Sequence, residues 1–172
     1  MKFKTALTYN DVLLKPQYSD IKSRREVKLT STLGARETPG PFVHCKLPVI
    51  ASPMDTVCES EMAIAMWRAG GFGILHRYNS IERQTAFVAK VDLAGASAGA
   101  AIGTSGDYLE RARALVGAGV KTLCVDVAHG HHILMKEALG TLRQVFGNGV
   151  HIMAGNVATL EGYNDLVDWG AD

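Results

Sequence analysis

Two hydrophobic patterns alternate along the chain. Short apolar runs, often β-branched, begin at residues 47, 72, 98, 122 and 151, reading "LPVIAS", "FGILH", "AGAAIG", "TLCVDVA" and "HIMAGNV". Runs of this length and composition predict strands. Between them apolar residues recur at helical spacing: Met62, Ala63, Met66 and Trp67; Tyr108, Leu109, Ala112, Leu115 and Val116; Leu142, Val145 and Phe146; Leu160, Tyr163, Leu166 and Val167. Gly70 is placed to close the first of these helices, and Thr159 to cap the last, with Glu161 in its first turn where the helix dipole favours an acid. Gly140 weakens the third by about 1 kcal/mol relative to alanine.

The strand starts lie 24 to 29 residues apart, the length of one strand and one helix. Strands joined by helices form a parallel sheet, because a parallel pair needs a crossover connection. An open doubly wound sheet would carry a Gly-rich phosphate turn after its first strand, and "ASPMDTV" contains no glycine. The expected fold is therefore α/β, a TIM (β/α)8 barrel, of which the chain supplies about the first five units over residues 47–172. Residues 1–46 are expected to form an N-terminal extension packing on the barrel. "GAD" at the end leads toward a sixth strand, so the chain reads as the first portion of a longer protein.

Composition narrows the function classes. With 47% hydrophobic and 20% charged residues the chain is a globular protein, and its 18 basic and 17 acidic residues leave a net charge of +1 with no basic stripe, which argues against nucleic acid as a partner. The most apolar stretch, Met62 to Leu75, is interrupted by Arg68 and three glycines, too short and broken to span a bilayer. "MKFKTALTYNDVLL" lacks a secretory apolar core, so a cytoplasmic location is expected. Cys45, Cys58 and Cys124 are odd in number and widely spaced, which fits neither a disulfide framework nor a structural zinc site. They read as small apolar filler.

In a barrel the chemistry lies where strands end. The residues there are Ser52, Pro53, Met54 and Asp55; His76 and Arg77; Thr104 and Ser105; Asp126 with "AHGHH"; and Asn156. Five segments thus send polar groups to one rim, as a site for a polar ligand requires. From the residues alone Ser52 reads equally as a helix cap, Asp55 as the partner of a neighbouring cation, and Asn156 as a turn residue. "HGHH" at 129–132 lacks the helical spacing and further ligands of a zinc site, so no metal site is expected. Cys58 precedes a helix whose dipole lowers a thiol pKa, yet a structural role is the expectation.

The stretches "LTYNDVLLKPQYS", "LPVIASPMDTVCESEMAIAM", "GGFGILHRYNSIERQ", "GAAIG", "GVKTLCVDVAHGH" and "IMAGNVATLEG" resemble, in order, blocks of the IMP dehydrogenase and GMP reductase family. The resemblance runs from about Ala6 to the end. It implies a (β/α)8 barrel that binds a purine nucleoside 5′-monophosphate and a nicotinamide cofactor, NAD or NADP, at its C-terminal rim and assembles as a homotetramer. It implies Ser52, Met54 and Asn156 in the nucleotide pocket, and Asp126, Val127 and Ala128 beside the nicotinamide ribose. The family's attacking cysteine follows the sixth strand, past Asp172, and so does the loop that holds a monovalent cation. No catalytic residue is therefore expected in this chain, and the 172-residue chain itself is expected to be inactive.

The family's two branches leave mixed marks. "SPMDTV", "GAAIG" and "NVAT" look like the dehydrogenase. Ser23 and Arg24 in "KSRREV" resemble a reductase segment that reaches the NADP of a neighbouring subunit, and Arg77 in "HRY" resembles a basic cofactor contact of that branch. No regulatory domain interrupts Ile81 to Gly103, as in every reductase and some dehydrogenases. The expected activity is NAD-dependent oxidation of IMP to XMP through a cysteine adduct. The alternatives are NADPH-dependent reduction of GMP to IMP, or an inactive truncated barrel that only binds nucleotide or self-associates.

Overall fold

The computed structural model describes residues 5–8, 10–33 and 41–172. The rest of the expected N-terminal extension, residues 1–4, 9 and 34–40, lies outside the described residues. All five expected strands form: β3 (Ile50–Ala51), β4 (Phe72–Leu75), β5 (Ala98–Ile102), β6 (Thr122–Asp126) and β7 (His151–Gly155). They make one curled parallel sheet in the order β3-β4-β5-β6-β7, a partial TIM barrel. Two earlier strands, β1 (Ser31–Leu33) and β2 (Val43–Cys45), pair antiparallel.

The connecting helices are α1 (Ser60–Ala69), α2 (Ile81–Leu93), α3 (Tyr108–Gly117), α4 (Ile133–Phe146) and α5 (Leu160–Asp168). Gly70 closes α1 at φ 90°, a left-handed position open to glycine at little cost, and its N–H satisfies the carbonyls of Met66 and Trp67. The Thr159 hydroxyl accepts from the Gly162 N–H at 3.0 Å, as an N-cap should. Ser80 does the same for α2, accepting from the Arg83 N–H.

Alternation along each strand separates two packed layers. Leu75, Ala100, Ile102, Leu123, Val125 and Ile152 face the helices and meet Leu115, Met135, Leu139 and Leu142. Phe72, Ile74, Ala101 and Cys124 face the concave side, where Val43 and Cys45 of the hairpin lie against them. The periodic stripes are wider than the strip each helix buries: Met62, Trp67, Val145, Leu160 and Tyr163 remain exposed. A helix on one face of a sheet is covered along a single line, so only residues such as Ala63, Leu142 and Leu166 seal completely. No described helix is long and apolar enough to cross a membrane.

Beyond α5 the chain turns back to the β7 edge. The Asp172 N–H donates to the Ile152 carbonyl at 2.8 Å, and the Asp172 carboxylate accepts from the Ile152 N–H at 2.7 Å. Arg143, from α4, binds that carboxylate and also donates to the carbonyls of Gly147, Val150 and Gly170.

Candidate functional site

Parallel strands end on the same side, so the residues that follow them share one rim. A hollow of about 300 Å³ opens there, with Ile74, Cys124 and Met153 toward its floor and Ser52, Asp126 and Asn156 among its polar lining. The registers explain the convergence. Cys124 pairs with Met153 and Asp126 with Gly155, so alternate residues of β6 and β7 rise together up the concave face. Pairs two residues apart point the same way, which puts Asp126 above Cys124.

The segments after β6 and β7 are fastened to each other. The Val127 N–H donates to the Gly155 carbonyl, and the Val127 carbonyl accepts from both the backbone and the side-chain N–H of Asn156, at 2.8 and 3.1 Å. The Gly130 N–H donates to the Asn156 carbonyl at 2.7 Å. A Cβ on Gly130 would stand 2.9 Å from that oxygen, so only glycine permits the approach. His131 Nε2 then meets Asp165 of α5 at 2.8 Å, and the His132 ring caps α4 by accepting from the Leu134 N–H. His131 and His132 are thus engaged in holding the loop and the start of α4, and among the described residues no group of three or more His, Cys, Asp or Glu side chains comes together.

Arg77 joins this group from β4. Its guanidinium donates to the Asp126 carbonyl at 3.4 Å, while its Nε is buried with no partner. Neither Arg77 nor Val127 borders the hollow itself. Ser52 is exposed at the end of β3; it does not cap α1, whose N-cap is Glu59, and among the described residues the Asp55 carboxylate accepts from the neighbouring Thr56 N–H alone. Met54 is half exposed and does not line the hollow, and Ala128 is exposed beside it. Ser23 caps a short 3-10 turn, Arg24–Glu26, by accepting from the Arg25 N–H, and both Ser23 and Arg24 are exposed in the N-terminal segment away from that lining.

All three cysteines are buried. Cys58 is fully buried beneath Gly73, and burial pushes its thiol up to about 11, the reverse of the helix-dipole effect expected from its sequence position. Helix α1 begins two residues later, and desolvation of the thiolate outweighs the dipole. Cys124 is pushed up to about 12 by burial and then by Asp126, and Cys45 is also raised by burial.

Two polar groups lie beneath the rim: His76, which the sequence already placed at a strand end, and Gln84, which the sequence reading did not single out. His76 is buried; its Nδ1 accepts from the Tyr78 N–H at 3.2 Å, which leaves Nε2 to donate to Glu59 at 3.2 Å, and Arg83 holds the same carboxylate oxygen. Gln84 donates to the carbonyls of Leu75 and Ala101, at the ends of β4 and β5, and accepts from Arg111 at 2.8 Å. Arg111 also donates to the Asn79 carbonyl and pairs with Asp107, bracing both loops. The available signal was Gln84 itself, a polar residue four before Val88 on the buried face of α2.

The IMP dehydrogenase / GMP reductase domain model matches residues 6–172. Among curated relatives, an inosine-5′-monophosphate dehydrogenase of Nitrosopumilus maritimus is 25% identical over 296 residues, covering 100% of this chain and 61% of the relative. A GMP reductase of Leishmania donovani is 54% identical over 85 residues, covering 49% and 16%. GMP reductase 2 of Bos taurus is 34% identical over 168 residues, covering 96% and 47%. The chain therefore spans no more than about three fifths of the length of these relatives. With a match along nearly its whole length, the chain belongs to the IMP dehydrogenase / GMP reductase family.

Proposed function

We propose that this chain serves NAD-dependent oxidation of IMP to XMP, with the nucleotide in the rim hollow and the cofactor beside Asp126. The observation that carries this reading is the convergence of Ser52, Asp126 and Asn156 on one cavity with an apolar floor. A purine nucleotide is apolar on its base faces and polar at its ribose and phosphate, and the cavity is divided the same way. Ser52 donates to the ribose-phosphate part, and Asn156, its amide held by the Val127 carbonyl, stands between the two ligands. Met54 packs near the base once the turn that carries it is covered.

Asp126 accepts from the hydroxyls of the cofactor ribose, flanked by Val127 and Ala128. The residues fit such a group, because Asp126 borders the hollow and the Arg77 guanidinium lies against the Asp126 carbonyl. When bound, a nicotinamide takes up the hydride lost from the purine. The thiolate that must add to the purine comes from outside these residues, since Cys45, Cys58 and Cys124 are buried with raised pKa values. We place the activity in a cytoplasmic homotetramer with a monovalent cation, and for the 172-residue chain alone we expect no turnover.

GMP reduction with NADPH is the second reading. Arg77 favours it, since a guanidinium suits a ribose 2′-phosphate, with Ser23 and Arg24 supplied by a neighbouring subunit. So does the near-colinear match to the bovine reductase, 168 residues against 96% of this chain. The test uses the protein carrying its complete barrel: NAD reduction with IMP against NADPH oxidation with GMP. Turnover with the first pair alone supports the dehydrogenase, turnover with the second alone moves the assignment to the reductase, and turnover with neither ends both. Titration of the 172-residue chain with IMP tests the third reading, a truncated barrel that only binds nucleotide: tight one-to-one binding that Ser52→Ala or Asn156→Ala removes would show its rim pocket to be complete already.

A further inference from the structure

The opposite end of the sheet holds a second hollow that no part of the rim chemistry uses. It measures about 180 Å³ and is bounded by His44, Lys46, Trp67, Arg68, Gly70 and Gly71. These residues precede β3 and β4 or end α1, so they lie at the starts of the parallel strands, away from the rim. Its two glycines pack closely: a Cβ on Gly71 would stand 2.7 Å from the Val49 carbonyl, and one on Gly70 would stand 2.8 Å from the Lys46 Cβ. The Leu47 N–H closes it by donating to the Gly70 carbonyl.

Two features separate this hollow from an ordinary solvated surface. The first is charge. Lys46 and Arg68 have no ion pair or hydrogen bond among the described residues, and they come from different elements. His44 adds a third nitrogen donor, its Nδ1 held at 3.0 Å by the Thr32 hydroxyl so that Nε2 is left over. A cation in the last turn of a helix is a common complement to the dipole; one that borders the same hollow as a second unpaired cation is not explained that way. The second feature is Trp67, an indole 37% exposed and bordering the hollow instead of the core that its helical spacing predicts.

We infer that this hollow binds a small aromatic phosphate monoester, its phosphate between Lys46 and Arg68 and its ring against Trp67. Two cations neutralise a phosphate dianion, and an indole face adds stacking that inorganic phosphate cannot use. A nucleoside monophosphate and a simple aryl phosphate share this chemistry. The site is separate from the proposed rim site and does not depend on it.

The test follows Trp67 emission in a Trp169→Phe background, so that one indole reports. Phenyl phosphate, adenosine 5′-monophosphate and inorganic phosphate are titrated in turn. Saturable quenching by either aromatic ester, weakened about tenfold or more by Lys46→Gln and by Arg68→Gln, supports the site. These side chains are exposed, so the variants fold, and circular dichroism checks that they do. The tighter of the two esters tells a nucleotide from an aryl phosphate. Quenching that survives both charge removals, or none at all, overturns the proposal; inorganic phosphate binding as tightly as the esters overturns its aromatic half.

Discussion

On the outer face of the sheet Leu75, Ile102, Leu123 and Ile152 are sealed by helices, whereas on the inner face the same strands present Ile74, Gly99, Ala101, Cys124 and Met153. Helices cover one side along its length, whereas the other is covered only in part. The hairpin's Val43 and Cys45 fill part of the inner side, and above them lies the 300 Å³ hollow. A closed face can only stabilise; an unfilled face with polar strand ends can also bind. The contrast teaches that in this fold a site is made by what the inner residues leave empty, and it can be tested one residue at a time.

The sharpest test uses neighbours on β6. Leu123 is fully buried on the outer face, so Leu123→Ala is expected to cost about 2–5 kcal/mol, lost transfer energy plus a cavity the helices cannot close. Cys124→Ala, one residue on and facing the hollow, removes one sulfur beside space that is already open, and is expected to cost about 1 kcal/mol. Urea unfolding of the two variants measures both. Equal losses would mean that the inner face is as tightly packed as the outer.

Next on the same strand, Asp126 tests whether the open face is used. In the complete protein Asp126→Ala is expected to weaken cofactor binding about tenfold or more while changing nucleotide binding much less. Separate titrations with cofactor and with IMP read the two effects. Equal losses in both would remove the role assigned to Asp126.

The outer face was legible in the sequence because burial writes a period. Strand runs, helical stripes, Gly70 and Thr159 are local signals, and local backbone physics decides them. The rim was partly legible, since parallel strands must end together, and this brought Ser52, Asp126 and Asn156 to one hollow. Met54, Arg77, Val127, Ala128, Ser23 and Arg24 do not line it, because their positions rest on turns and an exposed segment with no periodic signal. What stayed hidden depends on long-range partners. No pattern around Arg111 reveals that it reaches Gln84, 27 residues away, or that Gly130 must sit against Asn156. Cys58 shows the same limit: helix position argues for a low thiol pKa, but burial, a tertiary property, decides the direction.

Acid should act mainly through the lower end of the sheet. His151 is buried at the start of β7, and burial pulls its pKa below the usual value of 6.5, against the Asp172 carboxylate and with help from Arg143. A depressed histidine pKa means that the unfolded chain binds the proton more tightly. Its contribution to stability is therefore complete above the unfolded value of about 6.5 and declines as pH falls through it toward the folded value. His151→Gln should lose less stability than the parent between about pH 7.5 and 5.5, read by urea midpoints. The same loss in both proteins would place the acid sensitivity elsewhere.

The smallest effect belongs to the outermost layer. Gly140 lies inside α4 on its exposed side, and a Cβ there would meet nothing within 4 Å. Only backbone entropy is then at stake, so Gly140→Ala should stabilise the chain by about 0.5–1 kcal/mol. A rise in Tm with unchanged ligand binding would confirm that this outer surface contributes to stability alone. A fall would mean that α4 packs against something at Gly140, and the outer face would then have to be counted, like the inner one, as a surface kept open for contact.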